Sequence, residues 1–394
     1  MKVLILHQHF NTPNEGGALR SYYLAKALIE QGYQPVVITG RGPASRETIN
    51  IEGIEVHYLP VAYDNRFGFW KRASSFLRYV WLSTQHAGRL KDVKICYAIS
   101  APLTVGLAAS SIKFLHKIPF IFEVGDLWPD APIQMGFVRS YFLKWFLFKI
   151  ERFIYSDAQS IVALSEKIKS AIEKRTRKKV IHMIPNMADT EFYRPALKDP
   201  LLEKKFNIEG KFVVSYIGAI GLANGLDFFM ECARASQRAM QRVQFILCGE
   251  GAMLESLTRI AQQYELSNFS IIPFQNREGV KEVMNVTDAS FICYKSVPIL
   301  ETGSPNKYFD ALACGKLIVI NFGGWIKEEI ERECCGCYIE QKRPSDFVGK
   351  IQTFIDSKRL LQDYQDASRR LAEVKYARRM LSEKFAGIFN SQGV

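Results

Sequence analysis

Short apolar runs alternate with helical patterns along the chain, and the alternation is run through twice. The first pass opens on KVLILHQ at 2–8, whose β-branched, apolar content reads as a buried strand. A loop with Pro13, Gly16 and Gly17 follows, then ALRSYYLAKALIEQG at 18–32, apolar at helical spacing and stopped by Gly32. PVVITG, EVHYLPV, KICYAIS, PFIFEVGDLW, SIVALS and KVIHMIPN continue the pattern to residue 186. The second pass has KFVVSYIG, VQFILCGEG, FSIIPF, ASFICYK and LIVINF as its strands. Strands alternating with helices predict a parallel sheet covered on both faces. A chain of 394 residues, 48% hydrophobic, is too long for one ordinary core. YRPALKDPLLEKKFNIEG, with Pro195 and Pro200, is the best linker between the passes. The expected units are therefore 1–195, 196–374, and a tail at 375–394 whose amphipathic helix crosses back to the first unit. Each sheet has one edge formed by the C-terminal ends of its strands, where ligands bind, so a cleft between the domains is the expected site.

Several classes are set aside. MKVLILHQHF has no leader pattern, and no run approaches the roughly 20 apolar residues of a membrane span. Five of the eight cysteines lie in or beside apolar patterns, where a reduced thiol packs as a small hydrophobe. CCGC (Cys334, Cys335, Cys337) lacks the usual zinc-ligand spacing and a nearby His, so no metal site is expected. The net charge of +12 calls for a partner. Two stretches mix Lys and Arg with Phe, Trp, Tyr and Leu: RFGFWKRASSFLRYVWL, from Arg66 to Leu82, and RSYFLKWFLFKIERFIY, from Arg139 to Tyr155. That is the composition of helices lying in an anionic membrane interface. Amphipathic core helices with solvated basic faces are the plainer alternative. No nucleic-acid partner is expected, because no helix-turn-helix, zinc finger or RNP pattern is present.

The most informative stretch is SPNKYFDALACGK at 304–316, set between two strand-like runs. Ser304 is placed as an N-cap and Pro305 as the first helical residue. The first-turn N–H groups at Asn306 and Lys307, with the Lys307 charge, make an anion site. Asp310, three residues on, lies on the same face and suits a diol. An anion beside a diol is the outline of a nucleoside diphosphate with its ribose. A capped core helix whose Lys307 and Asp310 pair with each other satisfies the same spacing.

SPNKYFDALACGK followed by LIVI resembles the signature of GT-B glycosyltransferases of family 4: an acid, seven residues, then E-A-x-A-x-G-x-P-V-I. Asp310 falls on the second acid, and Ala311, Ala313 and Gly315 match. GGALRSYYLAKALIEQGYQPVVIT resembles the family's glycine loop and first helix, and IPNMADTEFYRP its I-P-N-G-V-D segment. LCGEG is similar to its G-x-G, and YIGAIGLANGLDFF aligns with its G-R-x-x-x-x-K-G. DLWPD at 126–130 is similar to a subgroup that builds bacterial surface polysaccharides, including amino-sugar and fucosamine transferases of O-antigen clusters. The resemblance implies an α/β fold with two Rossmann-like doubly wound domains facing across a cleft. It implies retaining transfer from a nucleotide sugar, expected to be UDP-linked, to a lipid-linked saccharide at the inner face of the cytoplasmic membrane. No metal and no cofactor beyond the donor are expected, and no Asp-x-Asp triplet occurs.

This sequence departs from the family where the donor diphosphate is gripped. The usual Arg and Lys fall on Ala219 and Asn224, and the first acid on Thr302, with Glu301 one place earlier. The diphosphate is then expected to rely on Lys307, the helix start at Ser304, Pro305 and Asn306, the Gly16–Gly17 loop, and Arg20. Asp126 is the acceptor-side acid/base candidate, with a helix N-cap as its structural alternative. Glu301 is expected at the donor sugar, Glu250 near the base, and Thr302 and Gly303 in the donor loop. Asn186 and Asp189 read as turn-formers. Two other functions fit parts of the pattern: a sugar-nucleotide epimerase on the same fold, and a non-catalytic partner descended from a transferase.

Overall fold

The computed structural model describes residues 1–42, 46–63, 67–100, 102–176, 179–239 and 242–390. The first sheet contains β1 (Lys2–Leu6), β2 (Gln34–Arg41), β3 (Glu47–Ile51), β4 (Ile54–Pro60), β5 (Val93–Ile99), β6 (Phe120–Val124), β7 (Ser160–Ala163) and β8 (Ile181–Met183). Its order is β3-β4-β2-β1-β5-β6-β7-β8. The second contains β9 (Phe212–Ile217), β10 (Val243–Cys248), β11 (Phe269–Ile272), β12 (Ala289–Ile292), β13 (Leu317–Ile320) and β14 (Gly336–Tyr338), in the order β11-β10-β9-β12-β13-β14. These strands pair in parallel except for β3 with β4. β1, β6, β9, β10 and β12 are buried almost throughout, as expected for strands covered on both faces. The strand order reverses at β1/β5 and at β9/β12, which places a ligand crevice on each sheet.

Two strands carry no apolar run. ETINI (β3) is an edge strand with mostly open side chains, and GCY (β14) has three residues. β14 absorbs part of the CCGC stretch: Cys335 is buried, Cys334 exposed, and all three thiols are free. Among the described residues, no group of three or more His, Cys, Asp or Glu is gathered for a metal.

The tail is two helices rather than one. The Lys358–Lys375 helix stops before Ala377, which bridges to Ala188 ahead of the linker. The Arg378–Asn390 helix then packs on the first domain, with Phe385 and Phe389 against the Tyr97 ring of β5. Asp189 is no mere turn-former, since Arg277 and Arg378 both pair with it. Arg369 donates to the carbonyls of Thr190, Tyr193 and Ala313, fixing the linker to the second domain.

Helices α1 (Arg20–Glu30), α2 (Phe69–Ala87), α3 (Thr104–His116), α4 (Asp130–Gln134), α5 (Tyr141–Asp157) and α6 (Glu166–Glu173) complete the first domain. α3 packs against both α2 and α5, and the layer they form leaves large apolar side chains on its outer face. Toward the core, α2 buries Ser75, Ser83 and Thr84 beside Tyr79 and Leu82, while Trp70, Leu77 and Trp81 face outward. α5 is anchored from inside by Glu151, paired with Arg175 at 2.6 Å. Its outer face shows Tyr141 at 85% and Phe142 at 72% exposure, followed by Trp145, Phe146 and Phe153. Phe114 and Leu115 at the end of α3 extend the same exposed set. Arg66, the first residue of the first basic aromatic stretch, lies outside the described residues. Among the described residues, no helix is long and apolar enough to cross a membrane.

Candidate active site

The second domain's crevice opens where β9 and β12 end. β9 runs into Gly218, whose φ of 139° suits glycine, and the neighbouring loop enters at Gly249. A Cβ on Gly249 would lie 2.0 Å from the Gly218 carbonyl, so these loops meet backbone to backbone. Lys307 reaches over this edge from the Asn306–Ala313 helix. Its Nζ donates to the Tyr216 hydroxyl at 2.6 Å and to Asn224 Oδ1 at 3.3 Å, and lies 4.1 Å from the Tyr216 ring centre. Tyr216 Oη and Asn224 Nδ2 both donate to the Ala219 carbonyl, at 2.7 and 2.8 Å. Asn224 thus holds Lys307 directly, and the Ala219 carbonyl fixes Asn224 and Tyr216 around it. Lys307 makes no ion pair among the described residues. Desolvation between the surrounding elements brings its ammonium down to about 7.

The helix begins differently from the sequence expectation. Pro305 occupies the N-cap position, Asn306 is the first helical residue, and no side chain caps the start. Ser304 is instead an interdomain contact: its Oγ accepts from the Asn186 N–H at 3.3 Å, and its carbonyl accepts from Asn186 Nδ2. Asn186 is therefore a bridge rather than a turn-former. The first domain grips the preceding loop at two more points. Ser165 Oγ donates to the Thr302 carbonyl at 2.6 Å, and the Ile299 N–H donates to Gln134 Oε1 at 3.0 Å. From the second domain, Trp325 Nε1 donates to the Gly303 carbonyl at 2.8 Å. Thr302 turns its hydroxyl into its own turn, donating to the Ile299 carbonyl at 2.7 Å.

Lys307 and Asp310 do not pair. Asp310 feels Arg277 and Asp189 instead, and has no hydrogen-bond partner among the described residues. Burial pushes its carboxyl up to about 7, against a weaker pull from Arg277. Glu301 lies against the backbone after β13, where a Cβ on Gly323 would come within 3.2 Å of both its carboxylate oxygens. Across the cleft, Asp126 follows β6 and approaches Gly303: a Cβ there would sit 3.9 Å from Asp126 Oδ1. Asp126 is not a helix N-cap, since α4 begins at Asp130 with Pro129 as its cap. It keeps open surface, and desolvation by neighbouring atoms raises its carboxyl above the ordinary range.

Arg20 is not available to a diphosphate. It is buried in a fork on Glu123, at 2.8 to 3.0 Å, and its other N–H groups donate to the carbonyls of Ile184 and Pro185. Tyr97 donates to the same carboxylate. This triad joins α1, β5 and β6 and is structural. The Gly16–Gly17 loop crosses to the second domain, where a Cβ on Gly16 would press on Phe274 and Asn276 at 3.3 Å. That contact lies at the end of β11, two strands from the β9 edge. Glu250 is exposed after β10, and its carbonyl holds the Ile220 N–H at 2.7 Å. Sequence reasoning missed Tyr216, Gln134 and Ser165. The only signal for Tyr216 was a polar-tipped ring two residues before the strand-ending glycine.

A raised carboxyl stores instability in the ligand-free protein. The unfolded chain loses the Asp310 proton near 3.8 and the folded chain near 7, so stability drains as pH rises through that interval. In the ligand-free protein, Asp310→Asn is expected to melt above wild type at pH 8, with the difference shrinking toward pH 5. Equal differences at both pH values would remove this account of Asp310.

A model of the glycosyl transferase 4-like domain matches residues 15–187, and one of the glycosyl transferases group 1 matches residues 198–371. The chain is 18% identical over 308 residues to an alpha-D-kanosaminyltransferase of Streptomyces kanamyceticus, covering 75% of this chain and 72% of that protein. It is 20% identical over 371 residues to a phosphatidylinositol N-acetylglucosaminyltransferase subunit of Arabidopsis thaliana, covering 90% and 74%. Its fold is similar to that of Anabaena Alr3699/HepE, solved in complex with UDP-glucose, with a TM-score of 0.72 at 15% identity over 99% of this chain and 100% of that one. The two matched domains, which together span most of the chain in family order, make it a GT-B glycosyltransferase of family 4.

Proposed function

We propose that the protein is a retaining glycosyltransferase that moves a sugar from a UDP-sugar to a lipid-linked saccharide in surface-polysaccharide assembly, at the inner face of the cytoplasmic membrane. The observation that carries the donor half is Lys307, a cation without a counter-ion at a helix start on the β9/β12 edge. The Asn306 and Lys307 N–H groups begin that helix, where backbone donors have no intrahelical partner. The UDP-glucose held by the Anabaena neighbour supports a uridine diphosphate as the donor's leaving group. In this reading the pyrophosphate lies on Lys307 and the helix start, the ribose hydroxyls meet Asp310, and Glu301 meets the donor sugar.

The chemistry asks little of covalent groups. The bond from sugar C1 to the diphosphate oxygen breaks, and a bond from C1 to the acceptor oxygen forms on the same face. Negative charge gathers on the departing diphosphate, where the Lys307 ammonium and the helix N–H groups stabilise it. The acceptor proton passes to the departing phosphate oxygen, and Asp126, across from Gly303, orients the acceptor hydroxyl. Lys307 and the helix start take the part a divalent cation plays in other transferases.

The acceptor half rests on the exposed face of α2, α3 and α5. Trp70, Leu77, Trp81, Phe114, Phe142 and Trp145 project outward, with Lys71, Arg78 and Lys149 exposed among them. Aromatic side chains with basic flanks suit an anionic lipid interface. α5 starts soon after α4, whose Gln134 touches the donor loop, so this face adjoins the cleft. The phosphatidylinositol named in the Arabidopsis relative supports a lipid acceptor.

Two measurements test the halves separately. By calorimetry, wild type is expected to bind UDP and Lys307→Ala to bind it roughly 10- to 100-fold more weakly, the worth of one charge-assisted contact; no heat with wild type would refute the donor reading. In flotation, the protein is expected to rise with anionic vesicles at low salt, and Trp70→Ser/Trp81→Ser/Trp145→Ser to stay behind. Wild type remaining at the bottom would refute the membrane reading.

A further inference from the structure

β12 lies between β9 and β13, so the chain leaving it enters the middle of the second domain's crevice. Tyr294 stands there, just past the end of the strand. A side-chain amide continues the strand pairing at this point. The Tyr294 N–H donates to Asn321 Oδ1, and Asn321 Nδ2 donates to the Tyr294 carbonyl, both at 2.9 Å. Gln341 Nε2 donates to the same carbonyl at 2.8 Å. Asn321 is buried directly after β13, and these two bonds satisfy its amide while fixing the Tyr294 backbone. Successive side chains of an extended segment face opposite ways. Cys293 takes one face, its Sγ donating to the Gly225 carbonyl at 3.2 Å, beside the Asn224 turn. Tyr294 takes the other and stands edge-on to Phe322, with ring centres 4.8 Å apart. Phe322 precedes Gly323, against which the Glu301 carboxylate lies. The Tyr294 ring is thus bracketed: Tyr216, under Lys307, on the β9 side, Glu301 on the β13 side, and Asp126 from the facing domain, whose charge its phenol feels. Tyr294 is half-buried, and its hydroxyl has no hydrogen-bond partner among the described residues.

We propose that the Tyr294 hydroxyl donates a hydrogen bond to the oxygen that joins the donor sugar to the β-phosphate, and is a catalytic residue of the transfer. The proposal rests on the donor reading above and adds a neutral contact at the bond that breaks. With the pyrophosphate on Lys307 and the acceptor hydroxyl at Asp126, that oxygen lies between them, where Tyr294 stands. As the bond from sugar C1 breaks, its electron pair stays on this oxygen, and the hydrogen bond from Tyr294 strengthens with the growing charge. Tyr294 keeps its own proton, and the acceptor proton passes to the departing phosphate. Desolvation, followed by the Asp126 charge, pushes the phenol up, which agrees with a donor that stays protonated near neutral pH. A ring needed only for packing on Phe322 would be served by Phe, with no hydroxyl left without a partner in the crevice.

The test is calorimetric titration with UDP and with UMP, which lacks the β-phosphate. UDP carries the oxygen in question as a terminal phosphate oxygen. Wild type is expected to bind UDP more tightly than UMP. Tyr294→Phe keeps the ring on Phe322 and removes only the hydroxyl. It is expected to bind UDP about tenfold more weakly, the worth of one hydrogen bond to a charged group, and to bind UMP as wild type does. Tyr294→Phe binding UDP as tightly as wild type, or losing UMP to the same degree as UDP, overturns the proposal. If Lys307→Ala weakens UDP in the same series, the donor reading stands without it. Wild type binding no UDP overturns both.

Discussion

Lys307 lies over the Tyr216 ring and donates to two neutral oxygens, with no carboxylate paired to it among the described residues; the ring and the oxygens hold the ammonium while desolvation works against it. Asp310, one turn along, is raised by the same desolvation and has no hydrogen-bond partner among the described residues. A helix whose two polar side chains served only stability would pair them, at i and i+3. This one sends them to different neighbours, Lys307 to Tyr216 and Asn224 and Asp310 toward Arg277. Such sites hold unfavourable free energy that the rest of the fold must outweigh, which is the usual mark of a binding site rather than a core.

The first domain takes part in shaping that site without supplying its cation. Gln134, Ser165 and Asn186 each fix a backbone or hydroxyl group between Ile299 and Ser304. Asp189 draws Arg277 and Arg378 onto the linker. The segment from Ile299 to Ser304 is thus held in part by the first domain. Arg20, buried on Glu123, stiffens the first sheet beneath this contact.

The alternation of strands and helices was legible because each strand is buried on both faces and reads as an apolar run. β3 was not, because it is an exposed antiparallel edge, and β14 was not, because three residues carry no pattern. Motif spacing located Lys307, Asp310 and Glu301, since a helix start and a strand edge are set by local sequence. Spacing could not place Arg20, whose position one turn into α1 suited a phosphate equally well; only the tertiary packing of Glu123 decides it. It also could not show that Asn224 accepts from Lys307. The residue reads as a lost cation in the sequence and as the partner of a retained one in the fold. Tyr216 was hidden for the reason that β9 is buried: a ring in a core strand needs no further explanation until its hydroxyl is seen under Lys307.

The central claim is that a nucleoside diphosphate is held by the single cation of the Asn306–Ala313 helix. A crystal structure of the protein with UDP tests it most directly. A phosphate oxygen is expected within hydrogen-bond distance of Lys307 Nζ and of the N–H groups at the helix start, with the ribose hydroxyls on Asp310. A diphosphate resting elsewhere, with Lys307 still on Tyr216 and Asn224 alone, would contradict it.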